Sequence, residues 1–179
     1  MKKTVLALIT ATLLAGCATA PTTTEYVNVG PVWSQLYNLP AGKDVAVKVE
    51  TDKPEYAVGE RMQFTATAKA DGKLWLVTVS PDDEVSLLFP NQLSPNNAVE
   101  AGTPLVIPAL NSQYDLKAAE PVGKNVVLAL VTTGNMGRDQ VLEILRGKNQ
   151  QQVSKAIAIE QRSPRWGSAK SVITVTPAR

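Results

Sequence analysis

The sequence predicts a mainly β protein: an antiparallel β-sandwich of the Ig-like or jelly-roll-like kind, with a small helical insert before the last strand. Short runs alternate between apolar and polar residues, which is the pattern of half-buried strands. Turn-forming residues separate these runs at short intervals, as in sandwiches of antiparallel strands. The segment 135–163 departs from the alternation and shows helical spacing instead.

The N-terminus has the pattern of an export signal. Lys2 and Lys3 form a basic start, and the apolar run from Val5 to Leu14 follows. That run is too short to span a bilayer as a stable anchor, so it indicates a cleaved signal peptide. We therefore expect residues 1–16 to be removed.

The end of this run is similar to a bacterial lipobox. In Leu14-Ala15-Gly16-Cys17 the small residues stand where the lipobox has them, and the Cys thiol would be acylated. The alternative is an ordinary signal peptide with an incidental Cys. Ala18 resembles the residue that sends such lipoproteins to the outer membrane, since it is not Asp. We thus expect lipidation at Cys17 and an outer-membrane location facing the periplasm.

Residues 17–40 are predicted to be a lipidated tether and linker, and residues 41–179 the sandwich domain. The Thr/Pro-rich start of the tether is typical of an extended, solvated segment. Its last part has apolar residues at roughly helical spacing, namely Val32, Trp33, Leu36, Tyr37 and Leu39. This part either packs on the edge of the domain or binds a partner near the membrane.

The first strands of the domain each have one apolar face. In "DVAVKVET" that face carries Val45, Val47 and Val49, and in "RMQFTATAKA" it carries Met62, Phe64, Ala66 and Ala68. Because successive side chains of a strand point to opposite faces, each set should lie in the core.

Two denser apolar runs, "KLWLVTVS" and "NVVLALVTT", are typical of central strands that are packed on both faces. Asp71-Gly72 is a strong hairpin signal and predicts that 61–69 pairs with 73–80. Pro81-Asp82-Asp83 predicts a second hairpin, to the strand that follows. The final strand, "AKSVITVTP", places Ile173 and Val175 on one face.

The strand after the second hairpin, "EVSLLFPN", ends abruptly. Alternation places Val85, Leu87 and Phe89 on one face. Pro90 has no N–H for the ladder, so it ends the strand. The loop that follows is rich in Asn, a residue that tolerates left-handed turn geometry.

The helical spacing before the last strand comes from Val141, Leu142 and Leu145 and, beyond Gly147, from Val153, Ala156 and Ile157. We interpret this as one or two helices that cover an end or a face of the sandwich. Trp166, which leads back into the sheet, is predicted to be a packing residue.

Several classes of function lose support from composition. The chain has no His, so Ser-His-Asp triads, His general bases and the usual zinc sites are absent. Its one Cys is Cys17, so no intramolecular disulfide can form. Without the signal peptide, basic and acidic residues are equal in number, which gives no electrostatic footprint for nucleic acid. We expect no enzyme activity, no cofactor and no metal.

The domain also resembles a known family. "YAVGERMQFTATA", "GKLWLVTVSPDDEVSLLFPN", "NAVEAGTPLVIP", "YDLKAAEPVGKNVVLALVTT" and "WGSAKSVITV" follow one another as in a bacterial envelope domain of unknown function, over about residues 44–176. The hairpin ending Leu-Phe-Pro-Asn, Leu87 to Asn91, is the most specific part. The resemblance implies a lipoprotein setting and the sandwich fold, and it brings no assigned catalytic residues.

We therefore expect a binding or scaffolding lipoprotein with an envelope protein as partner and the membrane as support. Loops 90–104 and 134–152 are the candidate surfaces, and the first offers Pro90, Asn91, Gln92, Asn96 and Asn97. A carboxylate-dependent, carbohydrate-processing enzyme is the alternative, and a calcium-stabilised module is another. Both alternatives depend on the acidic turn formed by Asp82, Asp83 and Glu84, which is weak as a calcium motif.

Replacing the acylated residue tests the anchor. We expect Cys17→Ser to release the protein from membranes into the soluble envelope fraction, because an acylated Cys17 would be its anchor. Detergent-free fractionation, followed by blotting of each fraction, measures this. A Ser variant that still sediments with outer membranes at the native level would contradict the lipobox prediction.

Overall fold

A computed structural model of the protein describes residues 29–42, 44–134, 141 and 165–178. This part of the chain is mainly β and forms a sandwich, as the sequence predicts. Its elements, in chain order, are α1 (Pro31–Tyr37), β1 (Val47–Thr51), β2 (Glu55–Ala57), β3 (Arg61–Met62), β4 (Phe64–Ala68), β5 (Gly72–Val79), β6 (Val85–Phe89), β7 (Ala98–Val99), β8 (Leu105–Ile107), β9 (Leu116–Lys117), β10 (Gly123–Thr132) and β11 (Trp166–Thr176).

The strands form a large sheet, a small sheet and a two-stranded ribbon. The large sheet has the order β2-β11-β10-β5-β6, with β7 also paired to β5, and the small sheet has the order β1-β4-β8. Strands β3 and β9 form the ribbon. All pairs are antiparallel except β2 with β11, which are parallel. This layout matches the predicted antiparallel sandwich in all but one pair.

The core between the two sheets, here called the inner core, contains the alternating apolar residues of the strands. Small-sheet residues such as Val49, Phe64 and Ala66 meet Leu74, Leu76 and Ile173 of the large sheet. The apolar faces predicted for the first two strands and for the last strand therefore lie in this core, as the period-two patterns require.

The large sheet is buried on its other face as well. Every residue of β10 from Asn125 to Thr132 is buried, so the prediction of a central strand packed on both faces is confirmed. The outer core on this second face joins Trp75, Val77, Leu128 and Leu130 to α1 and to Val141. Three layers result: small sheet, large sheet and an outer cover.

The segment 32–39, within the range that the sequence assigns to tether and linker, supplies much of this cover. Trp33, Leu36 and Leu39 are only 1–2% exposed and belong to the outer core. Packing on the domain was one of the two interpretations of this segment. The structure shows that α1 covers a face of the large sheet rather than its edge.

The hairpin predicted at Asp71-Gly72 is wrong. β4 pairs with β1 and β8, whereas β5 pairs with β6, β7 and β10. The Asp-Gly pair instead carries the chain from the small sheet to the large one. Asp71 accepts a hydrogen bond from Ala101 N at 2.7 Å, and a Cβ on Gly72 would lie 2.6 Å from the Thr132 carbonyl oxygen. Alternation had assigned faces to these strands but not partners. The second hairpin, through Pro81-Asp82-Asp83, is confirmed by the pairing of Val79 with Val85.

The face predicted for Phe89 is also wrong, although Phe89 is buried. Val85 and Leu87 pack in the outer core, whereas Phe89 packs in the inner core. Leu76 pairs with Phe89 and Val77 with Leu87, so Leu88 is an extra residue on β6. Such a β-bulge changes the face of every residue beyond it.

The predicted helical insert, 135–163, lies outside the described residues except for Val141, which is helical and buried in the outer core. Trp166 packs against that core, as predicted. No helix in the described part of the chain has the length and apolar character needed to cross a membrane.

Truncation of Phe89 tests the bulged strand. Phe89 is 3% exposed, so we expect Phe89→Ala to lower the free energy of unfolding by roughly 3–5 kcal/mol, as large core truncations do. Leu110 is 91% exposed and serves as the matched apolar control, with little expected effect of Leu110→Ala. Urea titrations measure both. Equal losses in the two variants would show that Phe89 contributes no core packing.

Candidate functional site

The candidate partner-binding loop, 90–97, is held by its own Asn side chains. Asn91 Oδ1 accepts hydrogen bonds from Leu93 N at 3.0 Å and from Ser94 N at 2.8 Å, and its amide nitrogen donates to Leu88 O at 3.0 Å. The backbones of Asn91 and Ser94 also bond to each other in both directions. Asn91 therefore shapes a tight turn directly after β6.

The far end of the loop is fastened in the same way. The side-chain amide of Asn97 donates to Leu74 O at 3.0 Å, and Leu74 N donates to Asn97 O at 2.8 Å. Asn96 Oδ1 accepts from Ala98 N at 3.1 Å. Both ends of the loop are thus joined to strands of the large sheet or to their neighbours, which gives the loop a defined shape.

The residues that this loop offers to a partner differ from the predicted set. Asn91 and Asn97 are half-buried and their side chains bond to backbone, whereas Gln92, Pro95 and Asn96 are exposed. Sequence reasoning missed Leu93, which is 68% exposed. Its signal was an apolar residue between two predicted turn residues, where no strand or helix could bury it.

The acidic turn has a structural role that its sequence did not reveal. Asp83 has a φ of 70°, and its Oδ1 accepts a hydrogen bond from Trp33 N, in the first turn of α1, at 2.8 Å. The residue at the N-cap position of α1 is Gly30, which has no side chain to cap the helix. Asp83 supplies the missing cap from 50 residues away, and its negative charge also suits a helix N-terminus.

Two further contacts tie this turn together. A Cβ on Gly30 would lie 2.1 Å from the Asp83 carboxyl carbon, so only glycine admits the carboxylate there. Ser80 Oγ donates to Asp82 Oδ1 and accepts from Glu84 N. The first two carboxylates of the turn are therefore engaged within the fold. Among the residues that the structure describes, no group of three or more acidic or other ligating side chains is placed to hold a metal ion.

The other end of α1 is held by a cation. Lys170, on β11, donates from its ammonium group to the carbonyl oxygens of Tyr37 and, at 2.6 Å, Leu39. Partial burial lowers the pKa of Lys170. The indole N–H of Trp33 donates to Lys124 O at 2.9 Å. Acid at the N-terminus and base at the C-terminus match the direction of the helix dipole.

The remaining predicted site residues are not part of this geometry. Cys17 and nearly all of the second candidate loop, 134–152, lie outside the described residues. Within the described ranges, loop 90–97 and the acidic turn lie at opposite ends of β6.

Removing the cap of α1 tests its anchoring. We expect Asp83→Ala to cost about 1–2 kcal/mol of stability through the lost cap, and to speed hydrogen exchange at the Trp33 amide. Asp83→Asn is the matched control, because Asn keeps the acceptor oxygen and tolerates a positive φ. Urea titration and exchange mass spectrometry measure both effects. If the Asn variant lost as much as the Ala variant, the carboxylate charge rather than the cap would hold α1.

Comparison with known proteins gives one match. Searches of the curated proteins and of the solved structures found no significant match to the chain. The model of a family described as "Domain of unknown function (DUF4384)" matches residues 55–135. The matched segment begins at β2 and extends just beyond β10, so it includes the hairpin β5-β6 and loop 90–97. The chain therefore carries a DUF4384 domain of unknown function at residues 55–135.

Proposed function

We propose that the protein is an outer-membrane lipoprotein, anchored through an acylated Cys17 and facing the periplasm, which binds or scaffolds a protein partner in an envelope complex. Loop 90–97 is the contact surface. The anchor follows from the lipobox-like sequence at Cys17, and the contact surface follows from the loop geometry.

The observation that carries the binding role is the combination of a fixed loop with exposed side chains. Asn91 and Asn97 bond to the backbone on each side of the loop, while Leu93 is 68% exposed. An ordered loop loses little conformational entropy on binding, which favours affinity. An exposed apolar side chain beside polar ones is typical of an interface rather than of a plain surface turn.

The alternatives have less support from the structure. A carboxylate enzyme or a calcium site at the acidic turn would need free carboxylates. Asp83 caps α1 and Asp82 accepts from Ser80, so both carboxylates serve the fold. Glu84 alone would leave an acid without the partner that general acid–base chemistry uses.

The chain offers an unusually close control for testing the loop. Gln92, Leu93 and Asn96 are exposed in loop 90–97, and Gln113, Leu110 and Asn111 are exposed in the loop between β8 and β9. The same residue types can thus be changed in two places. We expect Gln92→Ala/Leu93→Ser/Asn96→Ala to abolish capture of the partner from cross-linked envelopes and complementation of a deletion strain.

The matched variant, Gln113→Ala/Leu110→Ser/Asn111→Ala, should keep both functions, and both variants should accumulate normally because Asn91 and Asn97 are retained. Loss of function in the matched variant, with full function in the loop 90–97 variant, would overturn the proposed contact surface.

A further inference from the structure

Polar residues replace apolar ones at one end of the inner face of the large sheet. Further along the same strands this face carries residues such as Leu76 and Val127. Toward the acidic turn it carries Thr78, Ser80, Ser86 and Asn125, here called the polar strip. Pairing aligns them, since Thr78 is opposite both Val127 and Ser86, and Asn125 is opposite Ile173.

A cleft opens over this polar strip. Its volume is about 220 Å³, and the strip forms its floor. The opposite wall is the segment 117–121, and the apolar side chains of Met62, Leu88 and Ile173 complete the enclosure. The wall is fixed to the domain by backbone hydrogen bonds from Ala118 N to Glu60 O at 2.9 Å and from Gly59 N to Ala118 O at 2.8 Å. The cleft is therefore built into the fold.

The polar strip has hydrogen-bonding capacity that the described residues do not use. Asn125 is 7% exposed, and its amide nitrogen donates to Gly123 O at 3.2 Å, but its Oδ1 has no partner within the described ranges. The hydroxyls of Thr78 and Ser86 likewise have no partner there. Sheltered polar groups without a partner cost stability, typically about 1–3 kcal/mol each when fully buried. A ligand or ordered water in the cleft would offset that cost.

We propose that this cleft binds a neutral, hydroxyl-rich ligand the size of one monosaccharide unit. Hydroxyl groups both donate and accept, and so does the floor: Thr78 and Ser86 offer hydroxyls and Asn125 an amide oxygen. Apolar walls match the C–H faces of such a ring. The volume lies below the roughly 300–1,000 Å³ of sites for drug-sized ligands. Glu84, Glu120 and Lys117 lie at the opening and leave its charge nearly balanced.

This site is independent of the proposed contact surface, because none of the lining residues belongs to loop 90–97. The test uses the full chain as purified from cells, in a detergent without a sugar head group. Saturation-transfer NMR is recorded with methyl glucoside and N-acetylglucosamine, and with ethylammonium as a non-sugar probe. We expect signal from at least one sugar at millimolar concentration and none from ethylammonium.

Variants of the floor locate the binding. Thr78→Val removes one hydroxyl with little change of shape, and Ser86→Ala removes the other, so each should weaken sugar binding about fivefold through one lost hydrogen bond. Thr67→Val makes the same change on the small sheet and should leave binding unaltered. Far-UV circular dichroism checks that each variant is folded. Absence of sugar binding by the native chain, binding of ethylammonium alone, or equal binding by the Thr78 and Thr67 variants would each overturn the proposal.

Discussion

The constraint on which the structure depends is that strand β10 is buried on both faces. From Asn125 to Thr132 every residue is buried, so the large sheet needs a cover on the side away from the small sheet. A sheet that is apolar on both faces gains stability only when both are shielded from water. Helix α1 provides part of that cover, which makes a short segment next to the N-terminal region a required part of the core.

A helix of seven residues is marginal on its own, so its stability must come from the domain. The structure supplies it in three places: Asp83 at the first turn, the Lys124 carbonyl at the Trp33 indole, and Lys170 at the last carbonyls. Asp83 and Lys170 lie on different strands or turns of the large sheet. The sheet and α1 therefore order each other, and neither the acidic turn nor the half-buried Lys170 needs a ligand to explain it.

Alternation along the strands allowed the sandwich and its buried faces to be predicted, because period two is a local property of the backbone. Pairing is not local. Asp71-Gly72 has the composition of a hairpin turn, yet the competition between layers places its flanking strands in different sheets. One inserted residue, Leu88, was enough to move Phe89 to the opposite face. In the candidate site, Asn91 was recognised as a turn residue, but the cap from Asp83 to Trp33 joins residues 50 positions apart and has no sequence signature.

The two candidate surfaces lie at opposite ends of the sandwich, and this arrangement bears on the proposed anchor. Gly30 N bonds to Pro81 O at 3.0 Å, so the chain from the N-terminus enters beside the acidic turn, at the start of β6. Loop 90–97 follows the other end of that strand, roughly 17 Å away at the usual rise per residue. A lipid at Cys17 would thus hold the entry end, with the cleft, nearer the membrane. The loop would be directed away from it, where a partner could bind without displacing α1.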